Sequence, residues 1–172
     1  MSIQAKIDKS FPTISLQTLS GKSLALGEPR QGQWRLLVVY RGLHCPICKK
    51  YLGRINDMKA DFDKLNVQIV AVSTDPEEKA TKLASELDLD FEVAYGLGID
   101  QARDLGMYIS NPMDSTETDR PFAEPGLFFI RPDGRLHFCE ISSVPFCRPD
   151  LEMIKMGVST IQEKDYPPRG MG

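Results

Sequence analysis

No apolar run in this chain is long enough to cross a membrane. The longest strongly apolar stretch, Leu36–Tyr40, falls far short of the ~20 residues a spanning helix needs. An excess of one charge is also missing. The 21 basic residues stand against 24 acidic ones, for a net of −3, which offers no footing for nucleic acid or an acidic membrane surface. Met1–Ser10 carries charges and no apolar block, so no signal peptide is expected there. Internal repeats and low-complexity tracts are absent. These absences make the cytoplasm the expected compartment, where thiols stay reduced. Cysteine is sparse, with four in 172 residues. A chain of this length buries roughly 70% of its unfolded surface without disulfides. The four are therefore expected to be catalytic, metal-binding or inert. The length suits a single domain, residues 1–172.

Two of the cysteines sit three apart, in Cys45-Pro46-Ile47-Cys48. The run Leu36–Tyr40 reads as a central strand covered on both faces, and it stops at Arg41-Gly42. Pro46 to Leu65 reads as a helix, with Tyr51, Leu52, Ile55, Met58, Phe62 and Leu65 at spacings of three and four. Proline suits the first helical position. Cys45 then falls at the N-cap and Cys48 in the first turn. Unpaired amides and the positive end of the helix favour a thiolate there. The thiolate is the form that attacks a disulfide or a peroxide. Arg41, His44, Lys49 and Lys50 add positive charge nearby, and this spacing lets two sulfurs bridge.

Three readings stay open for the pair: a redox dithiol, half of a zinc site, or inert packing. Zinc needs a second pair of ligands. Cys139 and Cys147 are eight apart, and His137 is the only histidine besides His44, so that half is poorly supplied. His44 reads equally as a tuner of the thiolate, a proton donor, or a solvated side chain. Cys139 reads as a small packed residue in a strand.

Elsewhere, Phe11–Leu26 alternates around Ser20-Gly21-Lys22 and predicts a short hairpin. Strands are predicted over Val67–Ser73 and Phe91–Tyr95, a helix from Pro76 to about Leu87, and a short helix over Ile99–Leu105. Ser110–Arg120 is polar and aperiodic, which predicts an exposed loop. Arg131-Pro132-Asp133-Gly134 joins two further strands as a hairpin. A last helix begins near Pro149, with Leu151, Ile154, Val158 and Ile161 as its buried stripe and Met153 and Met156 as core filler. The order predicts an α/β fold with a mixed sheet and helices on both faces. Gly96-Leu97-Gly98 lacks the third glycine of a dinucleotide fingerprint. Dithiol chemistry asks for no cofactor and no metal.

On Tyr40–Leu52 (YRGLHCPICKKYL), Phe11-Pro12 with Ser20-Gly21-Lys22, and Glu124–Gly134 (EPGLFFIRPDG), the chain resembles a known family. This is the alkyl hydroperoxide reductase / thiol-specific antioxidant group, the peroxiredoxin-like branch of the thioredoxin superfamily. The resemblance implies a thioredoxin-like three-layer fold, with a mixed central sheet flanked by helices and an N-terminal β-hairpin extension. It implies reduction of peroxides with an external thiol reductant of thioredoxin or glutathione type, and a homodimer as one assembly open to the chain.

The departures matter as much. The family's P-x-x-x-T-x-x-C places Cys48 as the peroxidatic cysteine, with Cys45 in the threonine place and Arg41 in the proline place. Pro125 stands where the family carries an arginine. That is also the place of the thioredoxin cis-proline, so a cis Pro125 beside the dithiol is expected. Two mechanisms follow. Either Cys48 attacks a peroxide and Cys45 resolves it, with Arg41 supplying the missing charge, or an exposed Cys45 attacks a partner disulfide and a more buried Cys48 releases it. Cys147 is a further candidate resolving thiol. A non-catalytic redox sensor or binding module is the third alternative.

Overall fold

Alternation within Trp34–Val39 decides the architecture. Successive side chains of a strand point to opposite faces, and here both sets are apolar. Leu36 and Val38 face one cluster, with Leu52, Ile55, Phe62, Leu83, Leu151 and Val158. Leu37 and Val39 face another, with Phe11, Ile14, Leu26, Leu97, Ala102 and Met107. A strand buried on both sides takes a central place in the sheet.

The computed structural model describes residues 5–172, and residues 1–4, the start of the stretch Met1–Ser10, lie outside the described residues. The elements run β1 (Ser15–Gln17), β2 (Ser23–Ala25), β3 (Trp34–Val39), α1 (Pro46–Asp57), α2 (Lys59–Lys64), β4 (Val67–Val72), α3 (Glu77–Glu86), β5 (Glu92–Ala94), α4 (Ile99–Asp104), β6 (Ile109–Ser110), β7 (Phe122–Ala123), β8 (Gly126–Ile130), β9 (Leu136–Ile141) and α5 (Leu151–Lys164). The five-stranded sheet has the order β5-β4-β3-β8-β9. β3 pairs parallel with β4, Leu36 facing Ile69, and antiparallel with β8, Leu36 facing Phe129. One layer holds α1, α2, α3 and α5; the other holds α4 and the antiparallel hairpin β1–β2. Among the described residues no helix is long and apolar enough to cross a membrane.

Arg35 breaks the apolar pattern of β3. It is 2% exposed, and its Nη1 donates to the carbonyls of Ala25 (2.6 Å) and Leu26 (2.8 Å). Its Nη2 and Nε donate to Gln68 Oε1 at 2.8 and 3.2 Å. Burial, then the charge of Arg30, brings it down to about 10, so it stays cationic at neutral pH. This side chain ties the hairpin to the central strand.

Two local expectations are corrected and one is borne out. The predicted helix Pro46–Leu65 is broken at Met58, where ψ reaches 1°, and α2 carries Phe62 into the cluster of Val67 and Ile69. Ser110–Arg120 is the loop expected, most of it exposed and outside strands and helices. Its flanks pair as β6 and β7 (Ser110 facing Phe122), and Thr118 is buried. Met153 and Met156 are exposed, at 61% and 56%, because the stripe Leu151, Ile154, Val158 turns their side of α5 to solvent. Asp150 caps that helix, its Oδ1 accepting from the Met153 amide at 3.0 Å.

Candidate functional site

The site lies where β3 ends and α1 begins. Tyr40 is buried, and the chain then turns through Arg41-Gly42. Gly42 has φ +145°, and a Cβ there would meet Asp75 Oδ2 at 2.8 Å and His44 Nδ1 at 3.0 Å. Only glycine fits both the conformation and the space. The Leu43 amide donates to Asp75 Oδ2 at 2.7 Å, which fixes the loop that delivers the cysteines.

Cys45 is the N-cap of α1 and Pro46 follows at the first helical position. The Cys48 amide donates to Cys45 Sγ at 3.2 Å. Cys45 and Cys48 are joined as a disulfide, with Cα atoms 5.2 Å apart. The sulfurs a zinc site needs are therefore bonded to each other. Both residues are buried, at 1% and 0%, so an exposed Cys45 is corrected: the cap position turns its sulfur inward, toward the first-turn amides. Pro46 is exposed, and Ile47 is 44% exposed.

The cation on the sulfur comes from a residue that sequence reasoning missed. Arg148 Nη2 lies 2.8 Å from Cys48 Sγ. Its guanidinium sits over the Tyr51 ring, 4.9 Å from the centroid. Tyr51 in turn donates its hydroxyl to the Pro149 carbonyl at 2.9 Å. One turn of α1 thus holds both the sulfur and the aromatic face that positions Arg148. Nε and Nη1 of Arg148 are buried without a hydrogen-bond partner. Burial brings this guanidinium down to about 10, partly opposed by Tyr51. The only sequence signal for it was a basic residue between Cys147 and Pro149, just ahead of a helix.

Arg41 is spent elsewhere. Its Nη2 is 3.3 Å from Glu117 Oε1, and its Nε is 3.1 Å from Glu124 Oε2. The second contact is an ion pair whose angles make no hydrogen bond. Its guanidinium lies 4.7 Å from the Phe122 centroid. Glu124 is 3% exposed and accepts from Ser110 Oγ at 2.7 Å; Glu117 accepts from the Met113 amide at 2.8 Å. The segment between β6 and β7 is thereby drawn onto Arg41. Lys49 reaches away, to Glu86 at 2.7 Å.

His44 is half-buried against Phe122, with ring centroids 4.6 Å apart, and neither ring nitrogen has a hydrogen-bond partner. Burial, then Arg41, holds its pKa below the ordinary value, so it is neutral at pH 7 and adds no positive charge. His137, packed at 5.7 Å from Trp34, is lowered by burial and then by Arg131. An imidazole depressed in the fold lets the unfolded chain take up its proton first. The stability both supply is complete above the unfolded value near ~6.5. It is lost as pH falls from there through each folded value. Urea midpoints at about pH 7.5 and about pH 5.5 should therefore differ less in a His44→Gln, His137→Gln double variant than in the wild type. An equal difference in the two proteins would refute this.

Pro125 lies between β7 and β8, and no peptide bond among the described residues is cis. The cis-proline expectation is thereby corrected. The chain runs extended from one ladder into the next: the Glu124 amide donates to the Tyr108 carbonyl at 2.8 Å, and the Pro125 carbonyl accepts from Ser142 at 2.9 Å. A trans bond suits that path. Cys147 is free and exposed, and Cys139 is free and half-buried. Burial and Glu140 push the Cys139 thiol up, which suits a packed, unreactive role.

The model of the AhpC/TSA family matches residues 7–139. The 1-Cys peroxiredoxin of Dictyostelium discoideum is 29% identical over 103 residues, 60% of this chain and 43% of that protein. The chain spans about half the length of the curated relatives it matches. Among solved structures, peroxiredoxin 6 of Arenicola marina superposes with a TM-score of 0.76 at 20% identity, over 93% of this chain and 74% of that one. AhpC of Mycobacterium bovis superposes with a TM-score of 0.75 at 15% identity, over 95% and 96%. These likenesses establish the fold: a mixed central sheet between helical layers, with an N-terminal hairpin.

Proposed function

Because this chain belongs to the AhpC/TSA family, we propose that it is a thiol peroxidase whose working sulfurs are Cys48 and Cys45. The Cys48 thiolate attacks one peroxide oxygen and the O–O bond breaks. The other oxygen leaves as water or an alcohol after taking up a proton. Cys48 becomes a sulfenic acid. The Cys45 thiol then attacks the Cys48 sulfur and expels water, giving the disulfide. Two electrons and two protons from an external thiol reductant, of thioredoxin or glutathione type, restore both thiols. The curated relative is named a 1-Cys peroxiredoxin; here a second cysteine occupies the same helical turn.

The burial of both sulfurs, 1% and 0% exposed, favours this reading over exchange with a partner protein's disulfide. A small peroxide needs little room, whereas a protein disulfide needs an accessible sulfur. Arg148 at 2.8 Å from Cys48 supports Cys48 as the attacking sulfur.

The test is a rapid-quench reaction of fully reduced protein with hydrogen peroxide, followed by free-thiol count and intact mass. The expected result is paired loss of two thiols as the Cys45–Cys48 disulfide, much faster than a free thiolate of similar pKa reacts. Oxidation no faster than that reference would remove peroxide as the substrate.

A further inference from the structure

We propose that the cavity at the N-terminal end of β3 binds a small organic ammonium, an apolar or aromatic body carrying one protonated amine. The site is separate from the dithiol and does not depend on the peroxidase reading.

Trp34 opens β3, whereas Cys45 and Cys48 follow the other end of that strand. Trp34, Ile161, Tyr166 and Pro167 wall a cavity of about 550 Å³, a size typical of small-molecule sites. Phe129 stacks on the indole, with ring centroids 4.8 Å apart and planes 10° from parallel, which fixes the ring. Walls of this kind take an apolar body, and their aromatic members attract a cation.

The polar groups of the wall set the sign of the ligand. Arg131 is already paired, with Asp8 at 3.1 Å and with Asp133 at 2.6 Å, so its guanidinium is not free for an anion. His137 also lines the cavity; it is 4% exposed and leaves Nδ1 buried without a hydrogen-bond partner. Burial keeps this imidazole neutral at pH 7, and a neutral imidazole has an acceptor nitrogen for an N–H. Asp165 completes the wall, close enough for its charge to be felt at His137. It ends α5 with φ 47°, in a left-handed position that glycine usually fills. Its carboxylate stands at the negative end of the helix dipole, where another negative charge is unfavourable. With Arg131 engaged, Asp165 is the wall's unpaired charge among the described residues. An ammonium relieves that charge, and its N–H groups serve the imidazole.

Trp34 is the chain's single tryptophan, so its fluorescence reads the cavity. The full chain is titrated at neutral pH and constant ionic strength with 2-phenylethylammonium. The alcohol 2-phenylethanol and the anion 3-phenylpropionate serve as bodies of similar size. Saturation-transfer NMR on each compound detects binding that leaves the fluorescence unchanged. The ammonium should saturate with a Kd of about 5 mM or tighter, and bind at least about 5-fold more tightly than either analogue. Asp165→Gly keeps the left-handed cap and should cut the preference over the alcohol to about twofold or less. Equal affinity for the alcohol, or tighter binding of the carboxylate, would overturn the proposal. So would the absence of saturation by both readouts up to about 10 mM. Ammonium binding that Asp165→Gly leaves unchanged would place the ligand elsewhere and overturn the site.

Discussion

Cys48→Ser is expected to lose at least about 10³-fold in peroxide reduction, because it removes the nucleophile itself. A serine hydroxyl at that position stays protonated and cannot attack an O–O bond usefully. Cys45→Ser is expected to behave differently. The first oxidation, at Cys48, proceeds close to the wild-type rate, since Arg148 still touches the same sulfur. The resolving thiol is gone, so the sulfenic acid persists and more peroxide carries it to the sulfinic acid. Rapid-quench intact mass separates the outcomes: two hydrogens lost in the wild type, two oxygens gained in Cys45→Ser, and no fast change in Cys48→Ser. The reverse pattern, with Cys48→Ser active and Cys45→Ser dead, would move the attack to Cys45.

Arg35→Ala carries the largest expected cost in stability, about 3–5 kcal/mol. The guanidinium satisfies the carbonyls of Ala25 and Leu26 and fixes Gln68. Its removal leaves those acceptors buried and opens a void between β3 and the hairpin. Arg35→Met refills much of the volume but restores none of the hydrogen bonds, so it should recover only part of the loss. Urea unfolding read by circular dichroism gives both differences. A loss under about 1 kcal/mol for Arg35→Ala would mean that apolar packing alone holds the hairpin on the sheet. The Cys48 thiol should keep its reactivity in whatever fraction stays folded, since the Arg35 side chain leaves β3 toward the hairpin and Cys48 packs in the cluster on the opposite face.

The central strand, the helix at Pro46 and the hairpin at Arg131–Gly134 were legible because each is written locally: an apolar run, a proline at the first helical position, a turn tetrapeptide. Cys45 and Cys48 were legible for the same reason. Arg148 was not. It touches a sulfur 100 positions away in the chain, and nothing in Val144–Pro149 distinguishes it from a solvated arginine. Arg41 is a second case of long-range pairing. Its nearness in sequence suggested a role at the thiolate, but Glu117 and Glu124 arrive from the segment around β6 and β7 and claim it. The neutral His44 follows the same rule, since its depressed pKa comes from burial against Phe122, a residue far along the chain. Long-range pairing assigns charges to partners, and one sequence does not carry that information.

The bridge between Cys45 and Cys48 closes within one capped helical turn, and α1 is intact in the bridged form. Bridging is therefore compatible with a complete α1. What changes is the field. Arg148 faces a neutral sulfur in the disulfide and an anion once the bridge is reduced. A partner that distinguishes the two states would have to read potential, and its discrimination would weaken as salt is added.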